Sequence, residues 1–481
     1  MLARVRIWVL AATVAVGMSA CSSSSSPGSS ACTLAAPTQT DWRLTTRGTT
    51  LRDSLGRVVF LRGVDAGGRS KFAPYMPFEC ASDAAFPAAL AAYMDRAASW
   101  GIDSMRVPWT WAALEPTRGA YDMSWLGRYE QLLAAAWARG IYTVIDFHQD
   151  IYSECFCGDG FPCWTLAKPQ PPAHDCATWP LKYGDPGVEA AFDAFWAKGS
   201  VVQTGYLAAW DVMIAHLASE PGVIGVEPIN EPSAGSARNT DVWEATTLTD
   251  FHSMMIAHVH AMAPKTLVFV DITGFDGSFN VTKMGRPVGD FVFAPHMYLD
   301  NPRPESVQPA MQTWASLGAK WNVPVWVGEF GIGHEKPIAA SYMSAHFDAF
   351  DALGMSGTEW EYSVETTEWN GETDSIVAAS GTEYPVARAV IRPYARAVAG
   401  SAVTQSYATG TGAFTMTWTP APGITEVSVP ARAYPDGTSV SVSAGCYDKA
   451  SVPGKVLVDA SRASGTVTLT VTSPVALSDG G

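Results

Sequence analysis

The stretch VIGVEPINEP, residues 223–232, constrains the fold of this chain more than any other part of its sequence. Its apolar lead-in, interrupted by one Glu and one Pro, is typical of a parallel strand that is buried on both faces. The run ends in an amide and a carboxylate, Asn230 and Glu231, and Pro232 cannot donate a further ladder hydrogen bond. We therefore expect a buried strand whose carboxyl end presents Glu231.

A second stretch, VPVWVGEFG at residues 323–331, has the same construction. Glu329 follows its buried apolar run, and Gly331 opens the next loop. In a (β/α)8 barrel the carboxyl ends of all strands meet at one face, where the active site lies. Two carboxylates at the ends of two such strands are the groups that glycoside hydrolysis requires. Glu231 and Glu329 are therefore the candidate catalytic residues.

Alternating strand-like and helix-like segments predict a TIM barrel of the α/β class. Apolar residues have helical spacing at residues 87–100 and 123–139. A hairpin at residues 42–65 is expected to close the bottom of the barrel, and the longest insertion, residues 151–198, follows the third strand. The predicted barrel strands cover residues 58–64, 101–108, 140–148, 223–230, 266–271, 291–298, 323–329 and 356–362. Each is separated from the next by enough residues for a crossover connection.

The sequence pattern changes after residue 394. Short alternating segments, among them EVSVP, SVSVS, KVLVD and GTVTLTVT, recur with Gly, Pro and Asp between them. This pattern predicts a small antiparallel β-sandwich, for which a packing role is favoured over sugar binding because it offers no cluster of titratable residues. We place the TIM-barrel domain at residues 41–398 and the β-sandwich domain at residues 399–481.

The amino terminus has the features of an export signal. Residues 1–20 carry two Arg followed by an apolar run that is too short to span a bilayer, as in a signal peptide. Residues 18–21, MSAC, resemble a bacterial lipobox, which implies a lipid anchor at Cys21 and a Ser-rich tether at residues 21–40. Met replaces the usual Leu in this motif, so secretion without an anchor stays an alternative. We expect an exported protein, either secreted or lipid-anchored at the bacterial cell surface.

Eight Cys in an exported chain predict disulfides. Four of them lie in a Pro- and Gly-rich segment, which indicates a stapled loop; they are Cys155, Cys157, Cys163 and Cys176. A zinc site is the alternative, although the spacing of these cysteines matches no common metal motif. The sequence does not determine the pairing.

The composition limits the partners that the chain can bind. A formal net charge of -15 argues against nucleic acid as a partner, because phosphates would be repelled over much of the surface. Aromatic residues form 11% of the chain and include 18 Trp, which suits a protein that stacks sugar rings. The sequence contains no P-loop, no dinucleotide-binding Gly-rich turn and no His-Glu-x-x-His motif. We therefore expect no cofactor and no metal.

Polar residues gather where the predicted barrel strands end. They are Arg106, His148, Asp150, Asn230, Glu231, His296, Tyr298, Glu329 and Trp360. A barrel with a purely structural role would not place so many ionisable groups at one rim. For Arg106, His148 and His296 a structural role is the alternative to a functional one.

These residues resemble the motifs of glycoside hydrolase family 5, and within it the endoglycoceramidases. The matching pieces are the LRG opening of the first strand, Arg106, His148-Gln149-Asp150, Asn230-Glu231-Pro232, His296-x-Tyr298 and Glu329-Phe330-Gly331. The GDG at residues 158–160, Trp164 shortly after it and the run RPYARAVAG narrow the resemblance to the glycolipid branch. The resemblance covers essentially the whole mature chain.

The resemblance implies a role for each site residue. Glu231 would be the acid/base and Glu329 the nucleophile of a retaining reaction, with carboxyl groups about 5 to 5.5 Å apart. The sugar-binding residues would be Lys71, His148, Asp150, Asn230, Tyr298 and Trp360, with Asn230 at the 2-hydroxyl and Trp360 stacked on the sugar face. The supporting residues would be Arg106, His296 and Asp65, the last at a position where the family often has Asn.

A glycolipid substrate also needs an apolar surface for its ceramide. The candidates in the first and third loops are Phe72, Tyr75, Met76, Phe78, Phe156, Phe161, Trp164 and Trp179. As a contiguous exposed patch they would contact lipid or a membrane surface; the alternative is that they pack together around the disulfides. The acidic residues after the eighth strand, Glu361, Glu365, Glu368 and Asp374, are expected to narrow or charge the cleft and to favour head groups such as galactosyl-linked ones.

The expected function is that of a retaining endo-glycosidase that cleaves the β-glycosidic bond between oligosaccharide and ceramide in glycosphingolipids, with peripheral membrane contact. One alternative is a cellulase- or mannanase-like endo-β-glycanase that acts on soluble polysaccharide. An alternative from another class is an inactive surface lipoprotein that binds glycolipids.

Overall fold

A computed structural model describes residues 30–274 and 281–474. The predicted signal peptide at residues 1–20, Cys21 and the first part of the tether lie outside these described residues. Within them, eight parallel strands form a barrel, helices pack around it, and a sandwich of mainly antiparallel strands follows. The predicted fold class, a TIM barrel followed by a small β-sandwich, is confirmed.

The strands of the described chain are β1 (Ser30–Ala31), β2 (Thr45–Arg47), β3 (Thr50–Arg52), β4 (Val58–Val59), β5 (Arg62–Asp65), β6 (Ser104–Trp109), β7 (Tyr142–Phe147), β8 (Val223–Glu227), β9 (Leu267–Val270), β10 (Val292–Phe293), β11 (Trp326–Val327), β12 (Ser356–Glu359), β13 (Tyr394–Val398), β14 (Gly400–Ala408), β15 (Ala413–Pro420), β16 (Ile424–Ser428), β17 (Ser439–Val442), β18 (Cys446–Asp448), β19 (Lys455–Asp459) and β20 (Val467–Thr472). The α-helices are α1 (Phe86–Ser99), α2 (Trp111–Leu114), α3 (Met123–Trp137), α4 (Pro186–Trp196), α5 (Val201–Leu217), α6 (Thr240–Trp243), α7 (Thr249–Met262), α8 (Pro304–Trp321) and α9 (Ala339–Leu353).

Strands β5 to β12 form the barrel, in the order β10-β9-β8-β7-β6-β5-β12-β11. The ends of this sheet meet where the backbone N–H of Phe293 donates to the carbonyl of Pro324 at 2.9 Å. All eight predicted barrel strands are found, although most are shorter than the sequence suggests. The fourth, for example, ends at Glu227 because Pro228 lacks the N–H that a further ladder bond needs.

The barrel helices bury one face against the strands. In α3, Asp122 caps the amino terminus by accepting hydrogen bonds from the N–H groups of Ser124 and Trp125. The predicted helices at residues 87–100 and 123–139 correspond to α1 and α3. Between β9 and β10 the described residues contain no helix, because this connection is rich in Gly and Pro, which are poor helix formers.

The sandwich consists of two sheets that enclose an apolar core. One sheet has the order β14-β15-β20-β17, and Phe414, Met416 and Trp418 of β15 alternate with more exposed residues to fill the core. The other sheet has the order β1-β18-β19-β16-β13-β4-β3-β2. The predicted hairpin at residues 42–65 is therefore three short strands that join the sheet of the carboxyl-terminal domain. Strand β13 pairs with β4 on one side and with β16 on the other.

Three disulfides are formed by the described cysteines. Cys155–Cys163 and Cys157–Cys176 staple the insertion after β7, and Cys32–Cys446 joins the amino-terminal segment to the sandwich. The stapled loop is confirmed, and the four cysteines of the alternative zinc site are used in disulfides. Cys80 is free. Within residues 30–274 and 281–474, no helix combines the length and the apolar character that crossing a membrane requires.

Candidate active site

The two candidate catalytic carboxylates meet in one cavity at the carboxyl-terminal face of the barrel. The cavity has a volume of about 390 Å³, and its lining includes Glu231 after β8, Tyr298 after β10 and Glu329 after β11. A carboxylate oxygen of Glu231 lies within 4.8 Å of one of Glu329. This short separation suits a retaining mechanism, since inverting enzymes leave room for a water molecule between their carboxyl groups.

Glu329 is held by two hydrogen-bond donors. Nη1 of Arg106 donates to Oε1 at 2.6 Å, and the hydroxyl of Tyr298 donates to Oε2 at 3.0 Å. Burial opposes ionisation, but the positive charges of His296 and Arg106 outweigh it and lower the pKa of the Glu329 carboxyl. Glu329 is therefore ionised at neutral pH, as a nucleophile must be.

Arg106 is fully buried and joins side chains from four neighbouring strands, β5 to β8. Its Nε and Nη2 donate to the two oxygens of Glu227 at 3.0 and 2.9 Å, and Nη2 also donates to Oδ1 of Asn230 at 2.8 Å. Asp65 and Asp146 lie 3.4 and 3.1 Å from the guanidinium. Burial disfavours the charged guanidinium, but these carboxylates raise its pKa. Arg106 thus holds the strand ends together and contacts Glu329.

Glu231 is less enclosed than Glu329. Its side chain is 17% exposed, against 6% for that of Glu329. Its Oε1 lies 2.9 Å from Nδ1 of His296, and its backbone N–H donates to Oδ2 of Asp271 at 2.7 Å. The position between solvent and cavity suits a group that exchanges a proton with a leaving group and then with water.

His296 connects the two catalytic carboxylates. Its Nδ1 lies 2.9 Å from Glu231 and 3.5 Å from Glu329, while Nε2 faces Asp271 at 3.4 Å and Glu227 at 3.8 Å. Burial disfavours the charged imidazolium, but Asp271 and Glu329 outweigh it and raise the pKa of His296 well above its ordinary value. A protonated His296 therefore supplies positive charge between the two carboxylates.

Lys71 also lines the catalytic cavity and belongs to the short helix Gly68–Lys71 after β5. Its Nζ donates to Asp150 at 2.7 Å and to Glu372 at 3.0 Å. His148 places Nδ1 2.7 Å from Asp146 and Nε2 3.5 Å from Asp150. Burial raises the pKa of the Glu372 carboxyl to about 8, and Lys71 only partly offsets this shift. These groups form an array of donors and acceptors suited to sugar hydroxyls.

Trp360 forms an aromatic wall of the same cavity. Its ring stacks on His148 with centroids 5.1 Å apart and an interplanar angle of 7°. Nζ of Lys71 lies 4.5 Å from the centroid of Trp360 and 4.0 Å from that of Trp369. The lysine is thus fixed between aromatic faces and carboxylates.

Asn230 is more constrained than the sequence indicates. Its Oδ1 accepts the hydrogen bond from Arg106, and its Nδ2 donates to the carbonyl of Gln149 at 3.1 Å. The amide nitrogen carries two hydrogens, so one remains for a sugar hydroxyl.

The structure thus brings together all eleven residues that the sequence places at the site, and their individual roles stay predictions.

The site also contains carboxylates to which the sequence assigns no role, namely Asp146, Glu227, Asp271 and Glu372. The first three interrupt or end apolar strand segments. A carboxylate in a buried strand needs a partner, and this requirement was a signal that could have identified them. Glu372 lies in a loop and reaches Lys71 only through the tertiary fold, so no local pattern reveals it.

Part of the predicted ceramide surface is wrong. Met76, Phe78 and Phe161 are buried in the core, where Phe78 packs against Tyr93 at 5.3 Å and Phe161 stacks on Tyr152 at 4.2 Å. The alternative, that these residues pack internally, holds for them because burial of large apolar side chains stabilises the loops against the barrel.

Three of the other members of the predicted surface line two depressions, and Phe156 is half-buried against the core. Trp179 lines the catalytic cavity, whereas Tyr75 and Trp164 line a separate groove of about 680 Å³. Phe72 is nearly buried and stacks on His174 at 4.3 Å. The apolar wall beside the catalytic pair is instead formed by Trp179, Pro180, Tyr183 and Pro232.

The acidic residues after β12 take different positions. Asp374 lines the cavity, and burial raises the pKa of its carboxyl to about 7. Glu361 is buried behind the wall, where its carboxylate accepts hydrogen bonds from the N–H of Gly68 and the hydroxyl of Ser363. The acidic groups at the wall of the cleft are therefore those of Asp374 and Glu372 rather than that of Glu361.

Within the described part of the chain, three groups of side chains have the spacing of possible metal ligands: His148, Asp150 and Asp159; Glu227, Asp271 and His296; and Glu231, His296 and Glu329. Each group contains a carboxylate that already faces Lys71 or Arg106. These cations supply the positive charge that a metal would otherwise provide. The expectation that no metal or cofactor takes part stays a prediction.

Comparison with known proteins gives matches along most of the chain. The family model described as Cellulase (glycosyl hydrolase family 5) matches residues 73–366, and the one described as Glycoside hydrolase family 5 C-terminal domain matches residues 392–472. The chain is 28% identical over 460 residues to Endoglycoceramidase I of Rhodococcus hoagii (strain 103S), with 89% of this chain and 87% of that protein covered.

Solved structures are similar over the same extent. The lactosyl-enzyme intermediate of endo-glycoceramidase II from Rhodococcus sp. matches with a TM-score of 0.73 and 25% identity, covering 89% of this chain and 100% of that chain. The crystal structure of an endogalactoceramidase matches with a TM-score of 0.71 and 22% identity, covering 90% of this chain and 99% of that chain. At this lower identity the second similarity concerns the fold.

Proposed function

The chain belongs to glycoside hydrolase family 5, and from that membership we propose that this glycoside hydrolase is a retaining endo-glycosidase that separates the intact glycan of a glycosphingolipid from its ceramide. The observation that carries the proposal is the approach of Glu231 and Glu329 to within 4.8 Å in one cavity. Further support comes from the similarity to Endoglycoceramidase I over 89% of the chain.

In the first step, an oxygen of Glu329 attacks the anomeric carbon while Glu231 gives its proton to the departing ceramide oxygen. The bond between sugar and ceramide breaks, and a glycosyl–Glu329 ester forms. Hydrogen bonds from Arg106 and Tyr298 hold the attacking carboxylate in its ionised form. The negative charge of Glu329 is consumed in this step, and Glu231 becomes ionised.

In the second step, ionised Glu231 takes a proton from a water molecule as the water oxygen attacks the anomeric carbon. The ester bond breaks, Glu329 regains its charge, and Glu231 regains its proton. Two inversions give overall retention of configuration. The lactosyl-enzyme intermediate named for endo-glycoceramidase II, which is 25% identical, supports a covalent pathway of this kind.

The substrate assignment rests on the two sides of the cavity. The array of Lys71, Asp150 and Glu372 offers hydrogen-bond donors and acceptors for sugar hydroxyls. Trp179 and Pro180 offer apolar surface next to the catalytic pair, where a ceramide would lie. Buried donors and acceptors that match a substrate hydroxyl discriminate strongly against sugars that lack it, so a preference among linking sugars is expected.

The test is incubation with a ganglioside, a neutral glucosyl-linked glycosphingolipid and a galactosyl-linked one, followed by analysis of the products. The expected products are intact oligosaccharide and ceramide from at least one of them. Stepwise trimming from the outer end of the glycan, or hydrolysis of soluble β-glucan or mannan without any release of ceramide, would contradict the proposal.

Replacement of the nucleophile separates catalysis from capture. Glu329→Gln keeps the size of the side chain but removes its charge, so we expect turnover to fall by at least about 10⁴-fold. Glycolipid binding, measured by sedimentation with glycolipid-containing vesicles, should persist. Unchanged product release by this variant would exclude Glu329 as the nucleophile, and a parent protein that binds without turnover would favour the inactive lipoprotein.

We further propose that the protein acts outside the cytoplasm with peripheral membrane contact, either secreted or anchored through Cys21. The three disulfides support export to an oxidising compartment. In a bacterial host, the full chain is expected to incorporate labelled fatty acid and Cys21→Ser is not. Equal incorporation by the two would exclude Cys21 as the anchor site, and none in either would favour the secreted form.

A further inference from the structure

The backbone of Glu231 adopts a conformation that is uncommon for any residue other than glycine. Its φ angle is +37°, in the left-handed region. Such a conformation persists only where the surrounding structure holds it in place. Because the direction of the side chain depends on the backbone, the groups that hold this backbone also aim the carboxylate.

Two buried side chains hold the peptide groups of Glu231. Oδ2 of Asp271 accepts a hydrogen bond from the N–H of Glu231 at 2.7 Å. From the opposite side, Nε2 of Gln149 donates to the carbonyls of Asn230 and Glu231 at 2.8 and 3.0 Å. Of these three hydrogen bonds, the one to the N–H of Glu231 is formed by a carboxylate at the end of the neighbouring strand β9.

Asp271 is itself rigidly placed. It is fully buried at the end of β9, and its Oδ1 accepts a hydrogen bond from the N–H of Ile272 at 2.7 Å. Its Oδ2 also faces Nε2 of His296 at 3.4 Å, on the ring whose other nitrogen contacts Glu231. One carboxylate thus contacts the backbone of Glu231 and the imidazole that binds its side chain.

The same segment leaves space for the carboxylate of Glu231. A Cβ atom added to Gly274 would lie 2.4 Å from Oε2 of Glu231, which is closer than any real contact of this kind. The end of β9 therefore fixes the backbone of Glu231 through Asp271 and accommodates its side chain at Gly274. Gly274 lines the cavity, whereas Asp271 lies beneath its described walls.

We propose that Asp271 is a positioning residue for proton transfer by Glu231, an inference that rests on the proposed function. Without its hydrogen bond the left-handed turn relaxes and the carboxylate moves away from the departing oxygen. Asp271 touches neither the reacting atoms nor Glu329. Its loss should therefore weaken protonation of the leaving group more than nucleophilic attack, because Arg106 and Tyr298 still donate hydrogen bonds to Glu329.

The test compares substrates that differ in their need for a proton. Two synthetic substrates are used, the 2,4-dinitrophenyl glycoside and the phenyl glycoside of the same sugar. This sugar is the glycan that the parent protein releases from glycolipid. Dinitrophenolate departs without protonation, whereas phenolate benefits from an acid. The ratio of kcat/KM for the two substrates reports on acid assistance in the glycosylation step, because later steps do not enter kcat/KM.

Three replacements of Asp271 separate the hydrogen bond from volume. In Asp271→Leu the volume is largely kept and the acceptor is lost, and in Asp271→Ala both are lost. For these variants we expect kcat/KM to fall about 100-fold more on the phenyl glycoside than on the dinitrophenyl glycoside, in the direction of Glu231→Ala. Asp271→Asn retains one acceptor oxygen for the N–H of Glu231, but its amide nitrogen then faces the N–H of Ile272, so its ratio should lie between that of the parent and that of Asp271→Leu.

Asp146→Leu is the matched control, because Asp146 is equally buried on a neighbouring strand but faces Arg106 and His148 rather than Glu231. It should slow both substrates by a similar factor. Equal losses on both substrates in Asp271→Leu and Asp271→Ala would overturn the proposal, and so would an Asp271→Asn ratio as altered as theirs. A parent protein that releases no glycan from any glycosphingolipid would instead overturn the proposed function itself.

Discussion

The charge balance around Glu329 is decided by a few individual residues. Its oxygens accept from a buried guanidinium and from the hydroxyl of Tyr298, and a protonated His296 lies 3.5 Å away. Burial alone would keep the carboxyl neutral, and these contacts reverse that tendency. Glu329 is thus already ionised before substrate binds, and a nucleophile in this state needs less reorganisation during the reaction.

The Tyr298 hydroxyl provides a test of this balance. Tyr298→Phe removes a hydrogen bond that favours the charged form of Glu329, so the pKa of that carboxyl should rise. Because the ionised form is the active one, activity is lost as the pH falls through this pKa. We expect the acidic limb of the kcat/KM profile to move to higher pH, by comparison with the parent. An acidic limb that stays in place would show that Tyr298 does not stabilise the ionised nucleophile.

At the scale of residues, sequence motifs identify the site residues that directly follow strands. They do not identify the buried residues that hold these site residues in position. Asn230, Glu231 and Glu329 form short patterns after apolar runs. Asp271 is also at the end of an apolar strand, which indicates a carboxylate that needs a partner, but the sequence does not indicate that the partner is the backbone after a neighbouring strand. Contacts of this kind depend on the closure of the barrel and are not encoded locally.

At the scale of elements, a disulfide cross-links the insertion after β7, and hydrogen bonds join it to the loop that contains Asn370. The N–H of Cys176 donates to Oδ1 of Asn370 at 2.8 Å, and Nδ2 of Asn370 donates to the carbonyl of Cys157 at 2.7 Å. The Cys157–Cys176 disulfide closes this arrangement. Trp369, the neighbour of Asn370, contacts Lys71 in the catalytic cavity, so the insertion and the sugar-binding wall support one another.

Removal of the Cys157–Cys176 disulfide should therefore affect substrate binding. The double variant Cys157→Ser/Cys176→Ser loses a cross-link over a loop of moderate length, with an expected cost of about 3 kcal/mol. We expect an increased KM and faster limited proteolysis within residues 151–198. The matched control is Cys32→Ser/Cys446→Ser, far along the chain from the cavity, which should lower Tm with little change in KM. Similar KM values for both double variants would contradict a role of the insertion in binding.

The elements themselves differ in how far the sequence predicts them. Strands and long helices are predicted well because their apolar periodicity is local, as in α3 with its Asp122 cap. Strand ends are predicted less well, since Pro228 stops β8 before the predicted end at residue 230. The sequence does not predict which aromatic residues of the loops line the cavity. Phe78 and Phe161 lie in loops of the same kind as Trp179, but their side chains are buried in the core.

At the scale of the whole molecule, one ion cluster links three parts of the chain. These are the amino-terminal strands, β13 and the later strands of the sandwich. Glu426 of β16 accepts from Arg57 at 2.7 Å and from Lys455 at 3.0 Å, and Arg396 of β13 lies 3.5 Å from it. Asp53 neutralises the other side of Arg57 at 2.7 Å. The two domains therefore share ion pairs as well as the strands of one sheet, so the predicted boundary at residue 398 does not separate them completely.

Glu426 should consequently make stability depend on pH. Burial opposes ionisation, but Lys455, Arg396 and Arg57 outweigh it and lower the pKa of the Glu426 carboxyl to about 2 in the folded protein. In the unfolded chain the pKa returns to its ordinary value near 4.3. The stabilisation is then complete above the unfolded pKa and is lost as the pH falls towards the folded pKa.

Glu426→Gln removes this titration and leaves buried cations without their shared carboxylate. Loss of one partner from a buried ion pair costs about 3 to 5 kcal/mol, so we expect a lower Tm at pH 7. The difference in Tm between the parent and the variant should shrink as the pH is lowered from about 5 towards 2, because the parent loses the same charge. A difference in Tm that is constant over this range would mean that Glu426 is not ionised in the folded protein. Because the cluster joins three parts of the chain, we expect both domains to unfold in one transition in the parent, as measured by calorimetry.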